Sequence, residues 1–186
     1  MLTINFHPFK NLETERLLLR RVSESDYPEI MELRGNPETM KYIPRPLVKT
    51  KEDAINHFKM IDDKIESNEG INWAITLKGN PKLIGIIGHY RIQPENYRCE
   101  IGYMILPENK GKGIVTEAIK VVLKYGFDDL QMHSIEAVID PENTASERVL
   151  QKNGFVKEAH LIENEFAEGK FWDSVIYSIL KRNFTR

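Results

Sequence analysis

The stretch that decides the fold reads Pro107-Glu108-Asn109-Lys110-Gly111-Lys112-Gly113-Ile114-Val115-Thr116-Glu117-Ala118. Before it, the alternating run from Arg98 to Leu106 predicts a strand. After it, apolar residues at helical spacing predict a helix from about Ile114 to Phe127. A tight Gly-x-Gly turn therefore joins the strand directly to the helix. Because Gly111 and Gly113 lack a Cβ atom, the backbone can curl here and point several N–H groups inward together.

This turn has the chemistry of an anion site. The amides of a first helical turn have no partner within the helix, and the helix dipole favours negative charge beside them. Lys110 and Lys112 add positive charge at the rim. We interpret the loop as a pyrophosphate cradle, although two glycines alone are equally typical of an ordinary turn before a helix.

Two familiar phosphate-binding loops do not fit the segment. A P-loop has Ser or Thr after Gly-Lys, but Gly113 follows Lys112 here, and the upstream glycine is missing. A dinucleotide-binding fingerprint has a third glycine where Thr116 stands, and it follows the first strand of its fold.

The rest of the chain predicts a mixed sheet with helices on its faces. Expected strands are Glu15–Val22, Asn72–Leu77, Leu83–Ile92, Arg98–Leu106, His133–Ile139, Phe155–Leu161 and Trp172–Lys181. Further expected helices are a short one that Ser25-Asp26 would cap, one over Thr50–Ser67 and one over Asn143–Lys152. An antiparallel meander followed by a strand-helix-strand crossover indicates an α+β (mixed α/β) fold with about seven strands. We expect a single domain over residues 1–186.

Composition narrows the classes of function. The chain has 186 residues, 41% of them hydrophobic and 29% charged, which is typical of a folded globular protein. Its 26 basic and 28 acidic residues argue against a nucleic-acid partner. The one cysteine, Cys99, cannot form an internal disulfide, and no zinc-ligand spacing is present, so we expect no metal. Without a signal-peptide pattern or a long apolar stretch, we expect a cytoplasmic protein with no membrane partner.

Four motifs together resemble those of one family. The runs Cys99-Glu100-Ile101-Gly102-Tyr103-Met104-Ile105 and Lys110-Gly111-Lys112-Gly113-Ile114-Val115 are similar to the acyl-CoA-binding motif of the GNAT N-acetyltransferases. Two later runs are also similar to that family: Asp140-Pro141-Glu142-Asn143-Thr144-Ala145-Ser146 and Val149-Leu150-Gln151-Lys152-Asn153-Gly154-Phe155. The opening run Glu13-Thr14-Glu15-Arg16-Leu17-Leu18-Leu19-Arg20 and the Asn-x-x-Ser helix that starts at Asn143 resemble the RimJ/RimL-like branch. The resemblance covers roughly Leu12 to Leu180. It departs from the family pattern at Lys110, which replaces Arg or Gln, and at Val115, which replaces Gly or Ala.

The resemblance implies a sheet with a splayed strand pair and acetyl-CoA as the co-substrate. It also implies transfer of the acetyl group to a primary amine, either a protein N-terminal α-amine or a small amine, by direct attack in a ternary complex. The expected binding residues for acetyl-CoA are Met104, Ile105, Leu106, Lys110, Gly111, Lys112, Gly113, Ile114, Val115, Thr116 and Asn143. We expect a monomer or a homodimer.

Two residues are candidates for catalysis. An alkylamine with a pKa near ~10 is mostly protonated at neutral pH, so a base is useful, and Glu100 is our candidate. The alternative for Glu100 is an ion pair with Arg98 or Arg91. By resemblance, Ser146 would donate a hydrogen bond to the departing thiolate. Ser146 is equally typical of a first helical turn, and Asn143 of an N-cap. Tyr103 and Tyr177 are fallback donors.

The sequence leaves open both where the acceptor amine binds and which class of function the protein has. The acidic, aromatic-edged connection from Ile162 to Gly169 would attract a cationic amine, but it reads more readily as a solvated hairpin tip; its acidic residues are Glu163, Glu165 and Glu168. A non-catalytic acyl-CoA-binding sensor or scaffold is the second hypothesis, and a nucleotide-phosphate-binding protein the third. The presence of Glu100, Asn143 and Ser146 favours the enzyme.

Overall fold

A computed structural model describes residues 1–167 and 169–185. The strands are β1 Leu12–Glu13, β2 Leu17–Arg21, β3 Ile71–Leu77, β4 Asn80–Gln93, β5 Arg98–Ile105, β6 Ser134–Ile139, β7 Val156–Ala167 and β8 Lys170–Leu180. The helices are α1 Tyr27–Gly35, α2 Pro37–Met40, α3 Lys51–Glu66, α4 Ile114–Lys124 and α5 Thr144–Lys152.

The strands form one sheet in the order β1-β2-β3-β4-β5-β6-β8-β7. Only the β5–β6 pair is parallel, and α4 makes the crossover between these two strands. The expected mixed, mostly antiparallel sheet is confirmed. It has eight strands rather than about seven, because the two-residue β1 adds an edge that is too short to give a sequence pattern.

Helices cover both faces, and neighbouring residues of β4 show which helix lies on which face. His89 points toward α4, because its ring Nε2–H donates to the Val122 carbonyl oxygen at 3.1 Å. Tyr90 points the opposite way. Its hydroxyl interacts electrostatically with Arg34 of α1. We call these two sides the α4 face and the α1 face.

Two sequence-based boundaries were wrong, whereas the helix expected after Ser25-Asp26 does begin at Tyr27, with Asp26 at its N-cap position. The connection predicted over Ile162–Gly169 is largely strand, since β7 and β8 continue as a long hairpin with irregular register. The helix predicted to reach Phe127 ends as α-helix at Lys124 and continues as a π-helical turn to Asp129. Ser25 and Asp26 lie in a 3-10 turn before α1, where the Asp26 carboxylate binds Arg20 at 2.6 Å instead of capping the helix.

The helix predicted over Thr50–Ser67 is confirmed as α3, and Thr50 is its N-cap. The Thr50 hydroxyl accepts a hydrogen bond from the Asp53 amide at 3.1 Å, as capping residues commonly do. Within the described residues, no helix combines the length and the apolar character that crossing a membrane requires.

Candidate active site

The centre of the site is a gap between β5 and β6. These strands pair only at Arg98–Ser134, Cys99–Ile135 and Glu100–Glu136. Beyond Glu100, β5 stays paired with β4 as far as Ile105, while β6 stays paired with β8 as far as Ile139. The two strands therefore separate into a wedge, and the expected splayed pair is confirmed.

Backbone alternation decides which groups of β5 face this wedge. The Leu106 N–H donates to the Ile84 carbonyl of β4 at 2.9 Å, and the Leu106 carbonyl accepts from the Asn109 N–H at 2.9 Å. Since successive residues of a strand direct their N–H groups to opposite sides, Met104 also donates toward β4. Of the segment from Met104 to Leu106, only Ile105 presents its N–H to the wedge. Met104 and Leu106 therefore have no backbone N–H free for a ligand in the wedge, although the resemblance implied that all three residues bind acetyl-CoA.

The Gly-x-Gly loop lies where β5 passes into α4. Gly111 and Gly113 have φ angles of 74° and 75°, in the left-handed region that glycine adopts without a Cβ penalty. Gly113 is the N-cap of α4. In the part of the chain that the structure describes, none of the amides of residues 111 to 116 donates to a protein acceptor. The loop therefore offers unpaired amides at a helix N-terminus, and its role as a pyrophosphate cradle stays a prediction.

Arg16, which the sequence reasoning did not single out, holds this loop against the sheet. It lies between β1 and β2, and its Nη1 donates to the Lys112 carbonyl at 3.2 Å. Its Nε donates to the Glu117 carboxylate at 2.7 Å, and the Thr14 hydroxyl donates to the same carboxylate. Burial raises the pKa of Glu117, but these hydrogen bonds outweigh it and lower the pKa overall. Arg16 belongs to the run Glu13–Arg20 that resembles the RimJ/RimL-like branch, but that run does not indicate a contact with Glu117.

Glu100 lies at the apex of the wedge on the α1 face. Its side chain is 16% exposed, and its carboxylate binds Arg91 Nη1 at 3.0 Å. Burial raises the pKa of Glu100 above its ordinary value; Arg91 opposes that shift, and the neighbouring Glu136 carboxylate adds to it. The ion pair expected as the alternative role exists, with Arg91 rather than Arg98, which pairs with Glu136. A buried carboxyl with a raised pKa can also act as a base near neutral pH.

Gly102 does not leave room for a substrate beside Glu100, although a glycine next to a candidate base favours that interpretation of the sequence. A Cβ atom on Gly102 would lie 3.0 Å from Cε2 of the Tyr90 ring, so the ring occupies that space. The Tyr90 hydroxyl in turn accepts a hydrogen bond from the Asn72 amide. Tyr90 therefore forms a wall of the site next to Glu100.

The α4 face of the wedge carries the groups suited to a leaving thiolate. Tyr103 lies on the splayed part of β5. Its hydroxyl is buried and has no partner at hydrogen-bonding geometry within the described residues. Burial raises the pKa of Tyr103 to about 12, and an interaction with the Ser146 hydroxyl partly offsets the shift. Asn143 caps α5, because its Oδ1 accepts from the Ser146 N–H at 3.1 Å. Tyr177 is engaged elsewhere, since its hydroxyl donates to Glu147 at 2.6 Å.

A cleft of about 410 Å³ opens beside Glu100 on the α1 face. Its lining residues are Arg91, Glu136, Val138, Leu161, Asn164, Glu165, Ser174 and Ile176. Part of the predicted acidic connection thus forms a cleft wall, and Glu165 binds Arg45 at 3.1 Å. Phe166 and Phe171 are exposed and in mutual contact at the hairpin end, as the solvated-tip interpretation expected. Glu168 lies outside the described residues.

Comparison with known proteins agrees with this geometry. The family described as "Acetyltransferase (GNAT) domain" matches residues 16–156. The uncharacterized N-acetyltransferase YoaA of Bacillus subtilis is 35% identical over 173 residues, which cover 93% of this chain and 98% of YoaA. The spermidine N(1)-acetyltransferase of Escherichia coli is 25% identical over 89% of this chain and 87% of its own length.

Solved structures show the same fold. A GNAT-family acetyltransferase from Bacillus anthracis superposes with a TM-score of 0.82 at 32% identity, covering 93% of this chain and 99% of its own. Mycobacterium smegmatis RimJ in complex with CoA-disulfide superposes with a TM-score of 0.83 at 21% identity, covering 95% of this chain and 88% of its own. The chain therefore belongs to the GNAT acetyltransferase family and is an N-acetyltransferase.

Proposed function

We propose that the protein transfers the acetyl group of acetyl-CoA to a primary amine by direct attack in a ternary complex. The observation that carries this proposal is the separation of β5 from β6 immediately beyond Glu100. That separation leaves a base on one face of the wedge, a buried hydroxyl on the other, and a backbone donor between them.

The free amides of the Gly-x-Gly loop fit the diphosphate of the coenzyme. Six successive amides, from Gly111 to Thr116, have no protein acceptor in the described chain, and they surround a helix N-terminus. Lys110 and Lys112 supply positive charge at the rim. Asn143 would remain a cap of α5, with its amide nitrogen available to the pantetheine arm. The M. smegmatis RimJ structure, which has the same fold, is a complex with CoA-disulfide.

Acetyl-CoA supplies an activated thioester, and the protein has to supply three further things. Glu100 accepts a proton from the ammonium form of the acceptor, directly or through water, and the neutral amine that results attacks the thioester carbonyl. The Ile105 N–H donates to the carbonyl oxygen as negative charge develops on it. The Tyr103 hydroxyl, next to Ser146, donates a hydrogen bond to the departing sulfur.

A covalent acetyl-enzyme is not part of this proposal. Cys99 is fully buried, and burial raises the pKa of its thiol far above the ordinary value. The thiol lies 3.4 Å from the Nδ1 atom of His89 in the core on the α4 face. A protonated thiol with this burial is a poor nucleophile, because the thiolate is the reactive form.

A screen for thiol release tests the function. Acetyl-CoA is mixed with polyamines, aminoglycosides, free amino acids and peptides with free N-termini, and the CoA thiol is measured. We expect amine-dependent release that Glu100→Gln reduces. Saturable binding of acetyl-CoA with no release on any amine would contradict transfer and favour a non-catalytic binding module.

A further inference from the structure

Among the residues that the structure describes, Arg34 is a partly buried cation with no ion-pair partner. It lies in the last turn of α1, and its backbone carbonyl accepts from the Val48 N–H at 3.2 Å. The guanidinium Nε is buried, and within residues 1–167 and 169–185 it has no hydrogen-bond partner. No carboxylate of those residues forms an ion pair with this side chain. Burying an unpaired charge is costly, so a folded protein usually supplies a counter-charge.

The groups around Arg34 do not supply one. The charged or titratable side chains that act on Arg34 are the Tyr90 hydroxyl of β4 and Arg45. His57 of α3 also lies close enough to be affected by Arg34. Burial, together with Arg34 and Lys64, lowers the pKa of His57 to about 4, so this imidazole is neutral at physiological pH. The surroundings of Arg34 are therefore polar and positive, which suits an anion.

Two neighbours of Arg34 connect it to the proposed reaction centre. Tyr90, which interacts with Arg34, is the direct register partner of Glu100 in the β4–β5 pair. Arg45, which also interacts with Arg34, binds Glu165 on the wall of the cleft. A small molecule whose amine reaches Glu100 can thus extend toward Arg34.

The charge pattern of the cleft also disfavours a polyamine. The two carboxylates that line the cleft and the neighbouring Glu100 each already have an arginine partner: Glu136 with Arg98, Glu165 with Arg45, and Glu100 with Arg91. A second ammonium would have to displace one of these arginines. An anionic group would displace nothing, because Arg34 has no competing partner in the described chain.

We propose that Arg34 binds a carboxylate or phosphate group of the acceptor, which is therefore a small molecule with both a primary amine and an anionic group. The guanidinium presents a planar fork of donors that matches either oxyanion. This inference rests on the proposed function. It adds the class of acceptor and the residue that selects it.

Matched acceptor pairs test the selection. Each amino acid is compared with its C-terminal amide, and O-phosphoethanolamine with ethanolamine, by thiol release from acetyl-CoA. We expect at least one anionic member to exceed its neutral partner roughly 10- to 100-fold in kcat/KM, the value of one or two charge-assisted hydrogen bonds. A preference for the amino acid over its amide indicates a carboxylate site. A preference for O-phosphoethanolamine over ethanolamine indicates a phosphate site.

Substitutions at Arg34 test whether this residue causes the preference for the anionic acceptor. In Arg34→Gln the ratio between pair members should fall close to one through a higher KM for the anionic member, and Arg34→Lys should be intermediate. Arg182→Gln, an exposed arginine at the opposite end of β8, serves as the control. Equal or better turnover of the neutral member in every pair, or an unchanged ratio in Arg34→Gln, would overturn the proposal.

A binding measurement separates this inference from the activity. Inorganic phosphate and acetate are titrated while the NMR signal of the Arg34 Nε–H is followed, with the signal assigned by its loss in Arg34→Lys. A saturable shift that the Arg182 signal does not share supports an anion site even if no amine is acetylated. The absence of an Arg34-specific shift for both anions would overturn the proposal even if amines are acetylated.

Discussion

Glu100 and Glu136 form the last residue pair that joins β5 to β6, and beyond them the two strands separate. Both side chains are partly buried at the apex of the wedge; burial raises the pKa of Glu100, and the nearby Glu136 carboxylate adds to that rise. Each carboxylate also binds an arginine, so the pair is held in place. The fold thus places a carboxyl group with a raised pKa at the point where the proposed acceptor and thioester would meet.

Glu100→Gln should reduce kcat/KM by roughly 10²- to 10⁴-fold, the usual contribution of a general base. Because the pKa of Glu100 is raised, its basic form appears only at higher pH than for an ordinary glutamate. The ratio of wild type to variant should therefore be largest above the pKa of Glu100 and below that of the amine. Steady-state rates across pH measure it.

Glu95→Gln is the matched control, since Glu95 is an exposed glutamate in the turn between β4 and β5. It should follow the wild type at every pH. A wild-type to Glu100→Gln ratio that stays constant across pH would remove Glu100 as the base.

Tyr103→Phe should lower kcat more than Ser146→Ala does. The Tyr103 hydroxyl is the buried donor without a full hydrogen bond, whereas Ser146 lies beside it at the start of α5. Loss of one hydrogen bond to a charged group costs about 1.5 to 3 kcal/mol, or roughly ten- to a hundredfold in rate. The comparison requires kcat at saturating acetyl-CoA. If Ser146→Ala has the larger effect, Ser146 rather than Tyr103 is the donor to sulfur.

Gly113→Asp should abolish acetyl-CoA binding, because it puts a carboxylate into the loop of free amides. Gly113→Asn is the matched control, since Asn has a similar size, also tolerates positive φ and carries no charge. Calorimetric titration should show much weaker binding for Asp than for Asn. Gly79→Asp, at a remote turn with φ of 80°, should leave binding unchanged. Equal affinities of the Asp and Asn variants would argue against an anion site at this loop.

The free energy of unfolding should fall as the pH drops from about 6.5 toward about 4. Burial lowers the pKa of His89 from 6.5 to about 4, so the folded state resists protonation that the unfolded chain accepts. Neutral His89 contributes its full stabilisation above pH 6.5, the pKa of the unfolded state. As the pH falls from 6.5 to about 4, this stabilisation is lost at up to about 1.4 kcal/mol per pH unit. His57 acts in the same direction.

Urea unfolding at several pH values measures this slope. His89→Gln should flatten it, whereas His133→Gln, at an exposed position before β6, should leave it unchanged. A wild-type slope that His89→Gln does not reduce would show that acid lability arises elsewhere.

Sequence patterns were sufficient for the elements that carry strong periodicity or turn chemistry. The meander β3-β4-β5 followed from alternating strands and turn residues, and α3 followed from its apolar spacing and Thr50. The loop at Gly111 and Gly113 followed because positive φ strongly favours glycine, which leaves a visible mark in the sequence.

Features that depend on tertiary contacts were not predictable. Arg16 reaches Glu117 across 101 positions of sequence, and no local pattern reports such a contact. The space beside Gly102 is filled by Tyr90 from another strand, so a glycine in the sequence did not mean an open site. The selection of Ile105 among three neighbouring residues depends on the β4 register. Arg34 is notable only because its partners are missing, which a sequence cannot show.

A crystal structure with bound CoA tests the central claim most directly. The account predicts that backbone N–H groups of residues 111 to 116 donate to the diphosphate, and that the thiol end lies in the wedge between Glu100 and Tyr103. A structure with the diphosphate away from this loop, or with the thiol outside the wedge, would contradict it.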